Sequence, residues 1–455
     1  MTSDYQSFIQ GKAYEHVDAG FDVENLPDGL KDFQRDCVAW ACRRGRAAIF
    51  ADTGLGKTFM QLAWADAVCD YTGGNVLIVA PLCVAQQTCS EGDKFGIGCE
   101  YVRSPSKDRI QIINYEMLPH FSPDDYAGIV LDESSILKGM DGKLRKYITS
   151  FSQPIPYRLS CTATPSPNDF MELGTQSEFL GVMSQVEMLA MFFIHDGSDT
   201  QKWRLKGHGR ARFWEWLSTW SIFIRNPADL GYCGDGYDLP PLEYVNHVVE
   251  TGDKDGLFAR VAQGLQERNK ARRDSVDLRV ERAAKIANDV DGPCVVWCHL
   301  NDESEKLESL IDGGVQVYGS MKAEEKERRI GSFTKGETQK IITKPKIAGF
   351  GLNWQHCNHM VFVGLSDSWE SFYQSVRRCW RFGQESAVIV HIVTADTEGA
   401  VLDNIRRKQA QNEEISSEMA AVMRDFTIAE IKGVSPDRTD YLPQEKIQLP
   451  EWVSA

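Results

Sequence analysis

Short apolar runs alternate with helix-length segments in two separate blocks of the chain. This alternation is typical of parallel α/β sheets, in which helices cover both faces of buried strands. The first block predicts strands at 47–51, 76–80, 110–114, 129–131 and 157–161, and the second predicts them at 295–298, 315–318, 340–343, 360–363 and 388–393. The pattern therefore predicts an α/β fold with two parallel-sheet lobes in tandem.

The segment between the blocks, 176–245, differs from them in composition and is rich in Trp, Phe and Met. Five of its apolar residues recur at helical spacing and predict one helix face: Phe213, Trp216, Leu217, Trp220 and Ile224. This spacing favours packing in a core over the alternative, in which the tryptophans stack on single-stranded bases.

Proline marks two further boundaries. The Pro-Pro pair at 240–241 interrupts regular structure and is expected at the crossing between lobes, and the polar, Pro-punctuated chain after 432 favours irregular structure. We therefore predict a first lobe over 1–175, a helical insertion over 176–245, a second lobe over 246–432 and an irregular tail over 433–455.

Charge and composition narrow the class of protein. With 65 acidic and 50 basic residues the net charge is -15, which argues against coating nucleic acid by bulk attraction but leaves room for a local basic track. No apolar stretch reaches the roughly 18 residues of a membrane span, and the N-terminus lacks a secretory pattern. Cysteines without Cys-x-x-Cys pairs indicate reduced thiols, so we expect a cytoplasmic protein without a membrane partner.

The nearest approach to a metal cluster is Cys294, Cys298 and His299, with a second group at 356–359. Cys294 and Cys298 share one face of a predicted buried strand. Structural core is therefore favoured over a zinc site.

A phosphate-binding loop is predicted at 51–58, where Ala-Asp-Thr-Gly-Leu-Gly-Lys-Thr joins a buried strand to a helix. Such a turn directs backbone N–H groups and the positive helix end at phosphate oxygens. Lys57 would reach the β- and γ-phosphates, and Thr58 would hold Mg²⁺. Ala51 replaces the first glycine of the consensus, so a plain loop is the competing interpretation of this motif alone. The predicted nucleotide-binding residues here are Thr53, Gly54, Gly56, Lys57 and Thr58.

Two carboxylates follow an apolar run in Gly-Ile-Val-Leu-Asp-Glu at 128–133. Asp132 can join the Mg²⁺ shell, and Glu133 can orient and deprotonate an attacking water. Acidic residues at a strand end are often merely solvated. The upstream phosphate loop favours the catalytic interpretation.

A basic motif, Gln-Ser-Val-Arg-Arg-Cys-Trp-Arg-Phe-Gly-Gln, occupies 374–384. On a predicted helix Arg378 and Arg381 are spaced i, i+3 and point from one face. Arg377 is interpreted as a solvated basic helix end.

In this order the three motifs resemble those of superfamily-two helicases and translocases, closest to the chromatin-remodeller-like (Swi/Snf-type) branch. The resemblance runs from about 30 to 393 and is also carried by 30–34, 79–84, 162–165 with Asn168, and 346–353. It implies two RecA-like lobes, ATP and Mg²⁺ as cofactors, and a DNA-dependent ATPase.

The resemblance also implies roles for single residues. Gln34 would bond the adenine edge, and Gly351 would lie near the nucleotide. Arg378 and Arg381 would act as arginine fingers, which are worth roughly 10³–10⁵ in rate. DNA contacts would fall at Pro81, Thr162, Lys344 and Lys346.

The chain departs from the family pattern at two places. It has Asp-Glu-Ser-Ser at 132–135 in place of Asp-Glu-Ala-His, which alters the residues that usually relay coupling. It has Lys-Pro at 344–345 where a Ser/Thr pair often touches DNA. Neither change removes an atom needed for phosphoryl transfer.

Two local basic stripes are further candidates for phosphate contacts, with solvated faces as the alternative. Arg272 and Arg279 are the predicted DNA contacts within the second stripe. The stripes comprise Lys202, Arg204, Lys206, Arg210 and Arg212, and Arg268, Arg272, Arg279 and Arg282.

The motifs together predict an ATP-dependent translocase that moves along double-stranded DNA through backbone contacts. A strand-separating helicase, or the motor subunit of a replication or restriction assembly, is the alternative within the same enzyme class. An ATP-gated DNA-binding scaffold is the third hypothesis. The compact build resembles phage and bacterial members of the branch, so a phage or host replication or recombination protein is the expected partner.

Overall fold

The computed structural model describes residues 20–138, 142–167, 169–196, 199–251, 275–349 and 351–431. Asn168, Arg268, Arg272 and the predicted tail at 433–455 lie outside these ranges. Within them, no helix is both long enough and apolar enough to pass through a bilayer.

The first half of the chain forms one parallel sheet and one hairpin. Its strands are β1 (Arg46–Ala51), β2 (Asn75–Ala80), β3 (Glu100–Tyr101), β4 (Ile110–Asn114), β5 (Tyr126–Asp132), β6 (Tyr157–Thr162), β7 (Phe193–Asp196), β8 (Asp199–Leu205) and β9 (Ser221–Ile224). Seven of them form a sheet in the order β3-β4-β2-β5-β6-β1-β9, in which every pairing is parallel. β7 and β8 pair antiparallel.

Helices cover both faces of this sheet. They are α1 (Asp32–Arg44), α2 (Lys57–Thr72), α3 (Leu82–Phe95), α4 (Lys143–Ser152), α5 (Leu173–Leu180), α6 (Gln185–Phe192) and α7 (Arg210–Ser218). Along β1, Ala47 and Ile49 belong to one apolar core, and Ala48 and Phe50 to the other. Because both faces are buried, the strands are continuous apolar runs, which is the pattern that the sequence shows.

The second half of the chain forms a six-stranded parallel sheet in the order β10-β15-β14-β11-β13-β12. Its strands are β10 (Leu242–Val249), β11 (Cys294–Trp297), β12 (Gly314–Gln316), β13 (Lys340–Thr343), β14 (His359–Val363) and β15 (Val388–Ala395). Its helices are α8 (Val276–Asp289), α9 (Asn301–Leu310), α10 (Ala323–Thr334), α11 (Pro345–Ala348), α12 (Trp369–Val376) and α13 (Gly399–Ile431). The prediction of two tandem α/β lobes is confirmed.

The predicted helical insertion at 176–245 is only partly helical, and part of it is built into the first lobe. β9 pairs with β1 at the edge of the first sheet, and β10 already belongs to the second sheet. The predicted helix face is wrong beyond Ser218, where α7 ends, because Ile224 lies in β9. Both elements bury their apolar residues in the same lobe, so a short helix and a strand together imitate one longer periodic face. Core packing of the aromatic residues is confirmed, since Phe213 and Trp220 are fully buried.

The long helix α13 packs on both lobes. Val401 and Ile405, near its start, belong to an apolar core of the second lobe. Ile415 and Met419, further along, belong to a core of the first lobe. Glu418 anchors this second part, because its carboxylate pairs with Arg210 and accepts a hydrogen bond from Trp214 Nε1 at 3.0 Å.

Candidate nucleotide site between the lobes

The loop between β1 and α2 has the backbone of a phosphate cradle. Gly54 and Gly56 have φ of 93° and 80°, in the left-handed region that favours glycine. α2 begins at Lys57, so its first N–H groups and its positive end face the loop. Lys57 Nζ donates to the carbonyl oxygens of Ala51 at 2.8 Å and Asp52 at 3.3 Å, which places the ammonium inside the loop.

Gln34 lies directly against this loop. Its Nε2 donates to Leu55 O at 2.9 Å, and its Oε1 accepts from the Lys31 N–H at 2.9 Å. A Cβ at Gly56 would stand 2.3 Å from Gln34 Nε2, so only glycine allows this approach. The structure therefore brings Gln34 to the edge of the cradle.

An aromatic pair that sequence reasoning missed lies beside Lys31, the residue before α1. The rings of Tyr237 and Phe382 stack with centroids 4.7 Å apart, and Lys31 Nζ lies 4.8 Å from the Tyr237 centroid. Tyr237 precedes the second lobe and Phe382 follows its arginine motif, so no local pattern connects the two. The pair connects the segment before β10 to the arginine motif, and Phe382 also approaches the phosphate loop at Gly54.

The two predicted carboxylates stand at the end of β5. Asp132 Oδ1 accepts from Gln61 Nε2 at 2.7 Å. Glu133 has φ of 52° and is the one non-glycine residue with positive φ within the described ranges. Its Oε2 accepts a hydrogen bond from Thr162 Oγ1 at 3.5 Å. A strained backbone at this point is typical of functional sites, where the surrounding structure imposes the conformation.

Burial controls the electrostatics of this group. Desolvation raises the pKa of Asp132 and also that of Glu133, to which the charge of Asp132 adds. Burial lowers the pKa of Lys57, while the carboxylates of Glu133, Asp52 and Asp132 oppose that change. Lys57 and Arg378 both favour the ionised form of the two acids, so both cations lie within electrostatic range of them.

Arg378 and Arg381 converge, although not on a helix as predicted. α12 ends at Val376, and both arginines lie in the turns that follow it. Arg378 Nη1 and Arg381 Nη1 donate to the same carbonyl oxygen, Leu352 O, at 3.2 and 3.1 Å. Arg381 Nε is buried without a hydrogen-bond partner, and burial together with Arg378 and Arg377 lowers the pKa of Arg381 to about 9.

The interpretation of Arg377 as a solvated helix end is wrong. Its side chain is 2% exposed and pairs with Asp52 of the phosphate loop, Nη2 to Oδ1, at 2.6 Å. It also donates to Thr53 Oγ1 at 3.0 Å and to Thr53 O at 3.3 Å. The partners belong to the other lobe, which the spacing of the arginines within their own motif could not reveal.

The two lobes are in close contact around the cleft. A Cβ at Gly54 would stand 2.7 Å from Phe382 Cβ, and a Cβ at Gly351 would stand 2.2 Å from Val84 Cγ2. Gly351, predicted to lie near the nucleotide, therefore meets α3 of the first lobe at Val84. Gln374 Nε2 also crosses the cleft and donates to Thr164 Oγ1 at 3.4 Å.

The chemistry of the cleft fits a polyphosphate. Three arginines and Lys57 meet there, and burial together with the neighbouring arginines lowers the pKa of Arg381. An anion with several oxygens, such as a triphosphate, would offset the repulsion between these cations and would accept a hydrogen bond from Arg381 Nε. Within the described ranges no three His, Cys, Asp or Glu residues are placed to hold a metal ion.

Two predicted DNA contacts are wrong. Arg279 on α8 is fully buried and pairs with Glu303 at 2.8 Å and Glu398 at 3.4 Å, so its guanidinium faces the interior of the second lobe. Thr162 is also fully buried, and its hydroxyl bonds Glu133 and accepts from the Thr164 N–H at 3.1 Å. Both side chains satisfy internal partners that sequence spacing does not show.

The other DNA candidates occupy varied positions. Pro81 is half-buried at the start of α3, and Lys346 is exposed on α11. Lys344 bonds Asn301. In the first basic stripe, Lys206 donates to the carbonyl oxygens at the end of α6, and Arg210 pairs with Glu418, so these two cations stabilise the fold.

Comparison with known proteins bears on the second lobe. Residues 279–383 match the family model of the helicase conserved C-terminal domain. Comparison with curated proteins finds no match. Among solved structures, the SWI2/SNF2 ATPase core of Sulfolobus solfataricus in complex with double-stranded DNA is similar at a TM-score of 0.41 and 18% identity, over 92% of this chain and 99% of that chain. Over residues 279–383 the second lobe is therefore similar to the helicase conserved C-terminal domain.

Proposed function

We propose that the protein is an ATP-dependent DNA translocase that hydrolyses ATP in the cleft between its lobes. One observation carries this proposal. Lys57 from the first lobe and Arg378 from the second both favour the ionised form of the same buried carboxylates, those of Asp132 and Glu133. A phosphate loop, an acid pair and an arginine from the opposite lobe form a complete set for phosphoryl transfer.

Each side chain has a role in that reaction. The loop N–H groups and Lys57 bind the β- and γ-phosphates. Thr58 and Asp132 would hold Mg²⁺, which would neutralise phosphate charge. Glu133, whose pKa is raised by burial, accepts a proton from the attacking water. Arg378 and Arg381 stabilise negative charge that develops on the transferring group.

The contacts of Glu133 suggest how hydrolysis is coupled to lobe movement. Thr162 joins Glu133 to the end of β6, and Thr164 beyond it accepts from Gln374 of the second lobe. A change at the acid pair therefore has a short route of hydrogen bonds to the opposite lobe.

Ser134 provides a second connection between the acid pair and the rest of the first lobe, at the position where the family pattern has the Ala of Asp-Glu-Ala-His. It is fully buried, its hydroxyl accepts from Ser160 Oγ at 2.8 Å, and its carbonyl accepts from Gln176 Nε2 at 2.9 Å. These bonds tie the acid motif to β6 and α5. The coupling in this chain thus passes through a serine network behind the acid pair.

DNA as the track is supported by the resemblance of the motifs and by the match of residues 279–383 to the helicase conserved C-terminal domain. Lys346 is exposed and available for backbone phosphates, while Lys344 on the same segment bonds Asn301. A contact of this type carries no base identity, so movement along duplex DNA is expected without sequence preference.

The test is an ATPase titration with duplex, forked and single-stranded DNA and with RNA. Wild-type protein should be stimulated most by duplex, and it should displace a third strand from a triplex without melting a fork. Glu133→Gln should bind a fluorescent ATP analogue normally but hydrolyse ATP about 10²–10⁴-fold more slowly. The exposed Glu337→Gln, on the second lobe, is the matched control. Equal turnover in wild type and Glu133→Gln, or no stimulation by any DNA, would contradict the proposal.

A further inference from the structure

One ion pair between the lobes has no role in the proposed reaction. Arg377 and Asp52 are 2.6 Å apart, and the arginine has two further hydrogen bonds, to the hydroxyl and the carbonyl of Thr53. All three contacts fall on the first two loop residues after β1. The guanidinium is thus bound to the loop at several points, which fixes its orientation as well as its distance.

The surroundings of this pair hold it in place. Tyr373 Oη donates to Asp52 Oδ1 at 3.1 Å, so two groups of the second lobe meet one carboxylate. The Asp52 carboxylate also accepts from the Thr53 N–H at 2.6 Å and thereby shapes the loop itself. The Arg377 guanidinium lies 4.9 Å from the Trp380 ring and 5.7 Å from the Tyr373 ring, at cation–π distance.

The contacts of Arg377 fall on the loop itself. Arg378 donates to Gln374 and Leu352 of the second lobe, and Arg381 donates to Leu352. Arg377 donates to Asp52 and Thr53 of the first lobe. Close by, Phe382 approaches the loop so tightly that Gly54 has no room for a Cβ. The second lobe thus rests on the phosphate loop at Arg377 and at Phe382.

We propose that Arg377 is a positioning residue that docks the second lobe on the phosphate loop through Asp52 and Thr53. Docking holds the loop in its cradle shape and sets the distance from which Arg378 and Arg381 act. The consequence for hydrolysis rests on the proposed function, whereas the docking itself does not. Arg377 touches no reacting atom in this role.

This role predicts a specific kinetic signature. If Arg377 stabilises the docked state, its loss lowers the fraction of molecules that are ready to bind ATP, and the apparent affinity falls by the same fraction. Saturating ATP, which itself bridges the lobes, would restore that state. Arg377→Gln should therefore raise KM about tenfold, the size expected for residues that share one network, with a much smaller change in kcat. Arg378→Gln should lower kcat instead.

A double-mutant cycle tests whether Arg377 acts through Asp52. Asp52→Asn should also raise KM, and the double variant should be no worse than the more severe single variant. Arg377→Lys should recover part of the effect, because an ammonium keeps the charge but not the planar fork. Arg378→Gln combined with Asp52→Asn should give independent effects that multiply. Independent, multiplying effects of Arg377→Gln and Asp52→Asn would overturn the proposal.

Hydrogen exchange without nucleotide provides a readout that does not need catalysis. Arg377→Gln should raise exchange in 52–57 and in 373–382. Glu370→Gln is the matched control, because it breaks the Lys138–Glu370 ion pair between the same lobes and should raise exchange near 134–138 instead. If Arg377→Gln does not fold, Asp52→Asn removes the same pair from the more exposed side. Unchanged exchange in the loop would overturn the docking role. A wild type without ATPase activity but with the expected exchange pattern would refute the proposed function and leave docking supported.

Discussion

Arg279 offers a sharp test of the difference between a DNA contact and a structural cation. We consider Arg279→Met, which keeps much of the side-chain volume and removes the charge. In the structure Arg279 Nη1 donates to Glu303 Oε1 at 2.8 Å and to Val363 O at 3.1 Å, and Nε donates to Ser275 Oγ at 2.9 Å. Glu398 lies 3.4 Å from Nε. One guanidinium thus connects α8 to three other segments of the second lobe.

The magnitude follows from what the substitution leaves behind. Glu303 is fully buried and Glu398 nearly so, and each would lose its cation in an interior with no water to replace it. Removal of one partner from a buried pair costs about 3–5 kcal/mol. The other carboxylate bonds survive, since Glu303 Oε2 still accepts from the His299 and Leu300 N–H groups. We therefore expect a loss of about 3–5 kcal/mol, a large part of the roughly 5–15 kcal/mol that stabilises a domain.

Urea unfolding followed by circular dichroism measures this loss. With a slope of about 2–3 kcal/mol per molar urea, the midpoint of the second lobe should fall by about 1–2.5 M. Arg282→Met is the matched control on the same helix, because Arg282 is exposed, and it should change stability by less than about 0.5 kcal/mol. A variant Arg279→Met with an unchanged midpoint and weakened DNA binding would refute the structural role and restore the original prediction.

Three further predictions address the loop, the long helix and pH. Gly54→Ala should lower ATPase activity at least about tenfold without lowering the melting temperature of the second lobe, because φ of 93° and contact with Phe382 exclude a side chain, and wild-type turnover would contradict this. Glu418→Ala should raise hydrogen exchange over 410–431, since charge-assisted bonds to the first lobe are lost, and unchanged protection there would argue against the anchor. Burial and two neighbouring histidines lower the pKa of His391 from 6.5 to about 4, so the folded state binds fewer protons than the unfolded state between these values. Stability should therefore fall as pH falls through that window, and urea midpoints at pH 7 and pH 5 should differ less in His391→Gln than in wild type.

Local patterns were enough for much of the fold and part of the candidate site. Every predicted strand overlaps an observed one, because strands buried on both faces must be continuous apolar runs. The phosphate loop and the acid pair were also visible, since each depends on a few adjacent residues at the end of one strand. The sequence did not predict β3, β9 and β10. β3 and β9 are short, and β10 is largely exposed, so none of the three is a long apolar run.

By itself, the sequence determined two α/β lobes, a cradle at 51–58 and acids at 132–133, because backbone geometry and strand burial are local properties. Only the tertiary structure decided which arginines serve which purpose. The sequence predicts both Arg377 and Arg279 as surface cations. Both are buried instead, because each pairs with a carboxylate from a distant part of the chain. A buried charge persists only where a partner offsets its desolvation, and the partner is chosen by the packing of the lobes rather than by neighbouring residues.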